Sequence, residues 1–267
     1  MPNRIDQKFA DLRAAGKRAL IAYISAGDPN LDATRALAWA FENAGVDILE
    51  LGVPFSDPLA DGVVNQLAAA RALATGTTVR GVLDCVRDIR AKSQLPIVLY
   101  TYVNPIYRYG FAEFHGDAEA AGVDGLLILD LPPDEDAQNS ELSQRSGLKR
   151  IRLIAPTTPD ARIAQLTAGA SGFIYYVSRE GVTGERADVA SSLPERVAAI
   201  RATTTLPIAV GFGISNADQV RQVSQIADGI VVGSAIVKRI GEFGQSPELV
   251  AKLAEFVRPL ADAAHAT

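Results

Sequence analysis

Short runs of apolar, often β-branched residues recur along the chain, and each run ends in Gly, Pro, Ser, Asp or Asn. Segments with apolar residues at helical spacing lie between these runs, so the pattern predicts alternating strands and helices. The apolar runs predict eight strands, which are LIAYISAG from Leu20, ILELGV from Ile48, PIVLYTYVN from Pro96, GLLILDLP from Gly125, RIRLIAP from Arg150, GFIYYVS from Gly172, PIAVGFG from Pro207 and GIVVGSA from Gly229.

The predicted helices include residues 31–44, 79–91, 111–121, 161–168, 193–201 and 217–226, and a polar helical segment precedes the first strand. Eight strand–helix units at intervals of about 25 to 30 residues favour a closed (β/α)8 TIM barrel with an extra N-terminal helix. An open doubly wound sheet is the alternative, but it usually has fewer units and a GxGxxG at its first turn. We therefore predict one α/β barrel domain over residues 1–267.

Three of the predicted helices end in similar short turns. The sequence is AGVD at 44–47, AGVD again at 121–124 and ADG at 227–229, and each leads directly into a predicted strand. We infer that the same helix-to-strand turn is used three times.

Composition and charge exclude several classes of function. The chain is 48% hydrophobic and 21% charged with a net charge of -5, and its Lys and Arg residues do not cluster as nucleic-acid binding requires. The single cysteine, Cys85, excludes an internal disulfide and suits a reducing cytoplasm. The N-terminal segment lacks a signal-peptide pattern, and no apolar stretch approaches the roughly 20 residues needed to span a bilayer. We predict a cytoplasmic protein.

One carboxylate lies inside the second predicted strand, and a second lies on the loop that follows it. Alternation places Ile48, Glu50 and Gly52 on one face, which points either into the barrel or toward the helices. Inside an apolar barrel the pKa of Glu50 should rise toward neutrality, as a general acid or base requires, whereas an ion-paired structural glutamate is the alternative. Asp61 follows on the loop PFSDPLADG, so the pair can divide acid and base roles, although an Asp before Gly also forms turns.

Glycines at the ends of the last two predicted strands suggest a phosphate site. GFGIS at 211–215 and VVGSA at 231–235 each open a predicted helix, and backbone amides at a helix N-terminus attract anions. The loops after strands 7 and 8 of such barrels frequently bind phosphate. Tight turns would explain each glycine separately.

These motifs, together with GDP at 27–29 and SREGVTG at 178–184, closely resemble the α subunit family of tryptophan synthase. The resemblance extends from about Leu20 through Val237. It implies retro-aldol cleavage of indole-3-glycerol phosphate to indole and glyceraldehyde 3-phosphate. This carbon–carbon lyase reaction needs neither a metal nor an organic cofactor in this subunit.

The resemblance also implies roles for individual residues. Glu50 matches the acid/base glutamate that protonates C3 of the indole ring, Asp61 matches the aspartate that binds the indole nitrogen, and Tyr175 matches the active-site tyrosine. The remaining matched residues are expected to bind substrate or its phosphate, and they are Tyr23, Tyr100, Leu127, Asp130, Thr183, Gly184, Phe212, Gly213, Gly233 and Ser234.

The loop departs from the family pattern just after Asp61. The family continues Asp-Gly-Pro and places an apolar residue on the indole three positions after the Gly, whereas this chain has Val63, Val64 and then Asn65. An amide facing an aromatic ring needs a partner or water to avoid a desolvation cost of about 1 to 3 kcal/mol.

The resemblance implies a partner as well. A β subunit that carries pyridoxal phosphate would receive the indole within an α2β2 complex, and the docking surface would include Pro54–Ala60 and Asn104–Gly110. A free-standing lyase and a weakly catalytic regulatory barrel are the alternatives. His115 and His265 lie away from every predicted strand end, and the sequence offers no metal-ligand cluster.

Overall fold

The computed structural model describes residues 3–177, 192–211 and 213–266. Eight parallel strands pair in sequence order, and β8 pairs with β1 to close a barrel. The strands are β1 Ala19–Ser25, β2 Ile48–Gly52, β3 Ile97–Thr101, β4 Gly125–Ile128, β5 Lys149–Ile154, β6 Ile174–Val177, β7 Ile208–Gly211 and β8 Gly229–Val232. All eight predicted strands are confirmed, and the open sheet is excluded.

Helices surround the barrel. In the described ranges they are α1 Arg4–Ala14, α2 Leu31–Asn43, α3 Val63–Ala74, α4 Val79–Arg90, α5 Val103–Tyr109, α6 Phe111–Ala121, α7 Ala137–Ser146, α8 Asp160–Ala168, α9 Leu193–Arg201, α10 Ala217–Ser224, α11 Ser234–Phe243 and α12 Leu249–His265. Helix α1 is the predicted extra N-terminal helix. No helix within the described ranges is both long and apolar enough to cross a membrane.

Alternate residues of each strand face opposite sides of the barrel wall. One buried cluster fills the barrel interior and contains Ala19, Ile21, Ile48, Val98, Leu127, Ile151, Phe173, Ala209 and Val231. The residues between them, such as Leu49, Leu51 and Leu99, pack outward in a second cluster with the helices. Because Ile48 faces inward, the period of two also directs Glu50 and Gly52 into the barrel.

Helix α1 closes the N-terminal end of the barrel. Ile5 and Phe9 are buried in the interior cluster, and the ring of Phe9 lies 5.7 Å from that of Phe173 between centroids. Apolar side chains therefore seal this end and leave the opposite end, where the strands finish, for the loops.

The two AGVD turns share one geometry, with Gly45 and Gly122 at φ of 97° and 90°, whereas the turn at 227–229 has no such glycine. All three turns nevertheless give their aspartate the same structural role. In each copy the carboxylate accepts a hydrogen bond from a backbone N–H at or near the start of the preceding strand. These bonds run from Leu20 to Asp47 (2.9 Å), from Ile97 to Asp124 (2.8 Å) and from Ile208 to Asp228 (2.9 Å). The turn thereby fixes neighbouring strands in register.

Basic side chains contact all three aspartates, and Arg201 donates to Asp228 at 2.9 Å. Arg90 and Arg4 donate to Asp124 at 2.6 and 2.8 Å, and His265 Nε2 lies 2.8 Å from Asp47 Oδ2. His265 lies beside the start of β2, because α12 returns to the N-terminal end of the barrel, opposite the ends of the strands. His115 lies on α6, where its ring nitrogens contact the Phe111 carbonyl oxygen at 2.8 Å and the Asn139 side-chain oxygen at 3.0 Å.

Candidate active site

Glu50 lies inside the barrel, which settles the question that strand alternation left open. Its side chain is buried, with 1% exposure, and its Oε1 atom has no hydrogen-bond partner in the described part of the chain. Burial, reinforced by the nearby charge of Asp61, raises the pKa of Glu50 from 4.5 to about 8. At neutral pH this carboxyl group is therefore mainly protonated and available as an acid.

Asp61 reaches the mouth of the barrel on the loop between β2 and α3. The loop turns just before it, where the Asp61 N–H donates to the Pro58 carbonyl at 3.0 Å. Its carboxylate is buried, and the hydroxyl groups of two tyrosines donate to it: Tyr100 to Oδ1 at 2.9 Å and Tyr102 to Oδ2 at 3.0 Å. The loop thus returns Asp61 over the strand ends.

The environments of the two carboxyl groups differ. Burial raises the pKa of Asp61, but hydrogen bonds from Tyr100, Tyr102 and Asn65 oppose that rise because they stabilise the anion. No such hydrogen-bond donor lowers the pKa of Glu50, and both burial and the charge of Asp61 raise it. Asp61 is therefore the better ionised acceptor and Glu50 the better proton donor.

Sequence reasoning missed Tyr102. It is buried, and its hydroxyl group both donates to Asp61 and accepts a hydrogen bond from the Ala60 N–H at 3.1 Å. The available signal was its spacing of two from Tyr100, which places both tyrosines on the inner side of the third strand and its extension.

Three predicted tyrosines line the upper barrel. Tyr23 packs edge-on against Tyr100 with ring centroids 5.0 Å apart, and a Cβ at Gly52 would lie 2.5 Å from the Tyr23 hydroxyl. Tyr175 faces inward on β6, and its hydroxyl occupies the space that a Cβ at Gly211 would fill. Glycines near the strand ends therefore make room for tyrosine hydroxyls next to the two carboxyl groups.

Two other predicted pocket residues have identifiable positions. Leu127 is fully buried in the interior cluster, below the strand ends. Asp130 is exposed, and its carboxylate accepts a hydrogen bond from the Val103 N–H at 2.7 Å, which caps the start of α5. Their contact with substrate stays a prediction.

Asn65 fills the position at which the loop departs from the family pattern. Its amide nitrogen lies 3.5 Å from Asp61 Oδ1, and its side-chain oxygen is buried without a hydrogen-bond partner in the described part of the chain. The amide group therefore has a donor contact with Asp61 and an acceptor that a bound ligand or water would satisfy.

The helices after β7 and β8 begin differently. Asn216 caps α10, since its side chain accepts a hydrogen bond from the Gln219 N–H at 3.0 Å. Helix α11 begins at Ser234 after Gly233, which has no side chain to serve as a cap. Gly213 has a φ of 80°, a backbone conformation that favours glycine. Thr183, Gly184 and Phe212 lie outside the described residues.

The described residues contain no group of three or more His, Cys, Asp or Glu side chains arranged to hold a metal ion. The described mouth contains two buried carboxyl groups, four tyrosine side chains and one amide.

Comparison with known proteins decides the family. The family model described as "Tryptophan synthase alpha chain" matches residues 9–265. The chain belongs to this family. The tryptophan synthase alpha chain of Opitutus terrae is 54% identical over 94% of this chain and 95% of its own length. That of Geobacter sulfurreducens is 50% identical over 98% of both chains.

Solved structures of tryptophan synthase also resemble this chain. Tryptophan synthase subunit alpha from Legionella pneumophila has a TM-score of 0.89 and 36% identity, with both chains fully covered. A tryptophan synthase from Mycobacterium tuberculosis gives a TM-score of 0.90 and 36% identity over 99% of each chain. The resemblance and the barrel predicted from sequence are confirmed. The protein is a carbon–carbon lyase of tryptophan biosynthesis that cleaves indole-3-glycerol phosphate.

Proposed function

We propose that Glu50 and Asp61 divide the chemistry of this cleavage, Glu50 as the acid/base group and Asp61 as the anion that binds the indole N–H. The observation that supports this most strongly is the contrast between them. Glu50 is buried inside the barrel with an unpartnered oxygen, whereas both oxygens of Asp61 accept hydroxyl donors.

The proposed reaction begins with proton transfer from Glu50 to C3 of the indole ring. Positive charge then develops on the ring nitrogen, and Asp61 stabilises it through the N–H. The bond from C3 to the side chain breaks, its electron pair returns to the ring, and the aldehyde forms as the adjacent hydroxyl loses its proton. Glu50 is by then a carboxylate that can take that proton, so the reaction needs no metal or organic cofactor in this chain.

Tyr175 and Tyr23 are proposed to border the indole ring. Both face inward, and burial, reinforced by the nearby charges of Glu50 and Asp61, raises the pKa of each phenol well above its ordinary value. The hydroxyls therefore stay protonated at neutral pH.

The phosphate of the substrate is proposed to bind at the start of α11. Ser234 opens this helix, and no side chain caps its first backbone N–H groups because Gly233 precedes them, whereas α10 is capped by Asn216. Gly213, Gly184 and Phe212 remain the other members of the predicted phosphate set.

A β subunit is the proposed partner, with pyridoxal phosphate on its side of an α2β2 complex. Leu59 and Tyr107 lie in the two predicted docking segments with 80% and 72% exposure. Val63 and Leu67 continue the apolar surface along one face of α3, with 54% and 55% exposure. Segment 104–110 lies mainly on helix α5. A cytoplasmic location and a single domain over 1–267 stay predictions.

Indole release from indole-3-glycerol phosphate tests the proposal. We expect Glu50→Gln and Asp61→Asn to abolish most of the activity, while Glu255→Gln, an exposed carboxylate on α12, leaves it unchanged. Near-normal release in either site variant would remove that residue from the mechanism. Repeating the assay with a β subunit separates a partner-dependent chain, slow alone, from a free-standing lyase, which is fast alone.

A further inference from the structure

Both carboxylate oxygens of Asp61 face a phenol. Tyr100 Oη lies 2.9 Å from Oδ1, and Tyr102 Oη lies 3.0 Å from Oδ2. A carboxyl group that carried a proton would present one donor oxygen to these hydroxyls, whereas the ionised form accepts from both. The arrangement thus selects the anion.

The other contacts of the two tyrosines show that their hydroxyl groups are the donors to Asp61. The Tyr102 hydroxyl accepts a hydrogen bond from the Ala60 N–H at 3.1 Å, so its own proton is directed to Asp61. Burial and the charge of Asp61 hold the pKa of Tyr100 well above its ordinary value, so this phenol also stays protonated. Both tyrosines donate, and Asp61 accepts.

Tyr100 is held rigidly for this contact. It lies on β3, where its Cα is paired with Gly52 of β2 and with Leu127 of β4. The edge contact with Tyr23, at 5.0 Å between ring centroids, fixes the orientation of its ring. The hydroxyl is therefore in place before any substrate arrives.

We propose that Tyr100 is a positioning residue of the lyase reaction, whose hydroxyl holds Asp61 Oδ1 in place as an anionic acceptor for the indole N–H. This extends the expectation that Tyr100 only lines the substrate pocket, and it rests on the proposed role of Asp61. Tyr102 serves the second oxygen, and Asn65 contributes a weaker third donor at 3.5 Å.

A pH effect follows from this role. The described titratable groups that face Asp61 are Glu50 on β2, Tyr23 on β1, Tyr100 on β3, Tyr102 after it and Tyr175 on β6. The hydrogen bond from Tyr100 lowers the pKa of Asp61 against the effect of burial. Its removal raises that pKa, so activity that needs ionised Asp61 is lost at higher pH than in the natural chain.

The experiment measures kcat/KM for indole release against pH in the natural chain, Tyr100→Phe and Tyr102→Phe. We expect Tyr100→Phe to lower kcat/KM about tenfold. The acidic limb of its pH profile should also shift to higher pH by about one unit, because one hydrogen bond to a charged group is lost. An unchanged acidic limb would overturn the proposal, even if activity fell.

A double-mutant cycle separates positioning from substrate contact. If Tyr100 acts through Asp61, Tyr100→Phe has little further effect in the Asp61→Asn background. An equal loss in both backgrounds would show a contact with substrate instead and overturn the proposal. Normal activity of Asp61→Asn alone would refute the proposed role of Asp61, a distinct failure. Should Tyr100→Phe not fold, Tyr100→Met removes the same hydroxyl with an adaptable apolar side chain.

Discussion

Buried carboxyl groups at the two ends of the barrel differ in their hydrogen-bond partners. At the N-terminal end Asp124 accepts hydrogen bonds from two arginines and a backbone N–H, and its side chain is 3% exposed. At the C-terminal end Glu50 has 1% exposure and an oxygen without a partner in the described ranges. Burial is similar at the two sites, so the hydrogen-bond partners distinguish the two carboxyl groups.

This difference separates stability from chemistry. A paired carboxylate is fixed in its charged form and links elements of the fold, whereas an unpaired one resists ionisation and can exchange a proton near neutral pH. Asp61 is intermediate, because neutral hydroxyl groups stabilise its charge without cancelling it. The barrel thus fixes strand register at one end and holds the proposed acid and base groups at the other.

The largest expected effect is the loss of catalysis at the C-terminal end. Glu50→Gln keeps the shape of the side chain but removes the transferable proton, so kcat should fall by about 10² to 10⁴. Steady-state indole release measures this loss. A fall of less than about fivefold, far below the range for general acid–base catalysis, would mean that Glu50 is only another buried carboxyl group.

The next largest effect is a loss of stability at the N-terminal end. Asp124→Ala leaves Arg90 buried without its carboxylate and should reduce the free energy of unfolding by about 3 to 5 kcal/mol. Urea unfolding measures it. Asp218→Ala is the matched control, because that ion pair with Arg221 is exposed and should contribute at most about 1 kcal/mol. Similar losses of stability in both variants would contradict the greater importance assigned to the buried ion pair.

A gain of stability should accompany the loss of activity in Glu50→Gln. The pKa of Glu50 in the folded protein, about 8, lies above its ordinary 4.5. The contribution of this group to the free energy of unfolding is therefore complete below pH 4.5 and is lost as the pH rises toward 8. Gln cannot ionise and avoids this loss. The variant should be more stable by on the order of 3 kcal/mol at neutral pH, shrinking to little near pH 4. Urea unfolding of both proteins at several pH values tests this trend. A stability difference that does not change with pH would show that ionisation of Glu50 is not its cause.

The smallest expected effect concerns the contact between α12 and the start of β2. His265→Ala removes the partner of Asp47 at 2.8 Å and should cost about 1 kcal/mol, since the histidine side chain remains 22% exposed. Thermal unfolding detects such a change, and indole release should stay unaltered. A clear loss of activity would show that the two ends are not independent.

Much of this organisation was predictable because it is local in sequence. Apolar runs and their turn residues predicted every strand, and the three similar helix-to-strand turns were visible as AGVD, AGVD and ADG. The loop PFSDPLADG pointed to the Glu50 and Asp61 pair. Alternation alone could not tell which face of β2 is the inside, because both faces of a barrel strand are apolar.

The missing parts depend on contacts between distant segments. Tyr102 and Asp61 are 41 positions apart, and Asp130 caps α5 across 27 positions. His265 meets Asp47 across 218 positions. No periodicity links such pairs, since only the closed barrel brings their segments together.

The pKa of Glu50 is the most direct test of the account. Carboxyl carbon NMR of the free protein, compared with Glu50→Gln, should show one resonance that titrates near pH 8 and is absent from the variant. Titration of that resonance near the ordinary 4.5 would contradict the account, because the buried group would then be ionised at neutral pH and could not supply the proton.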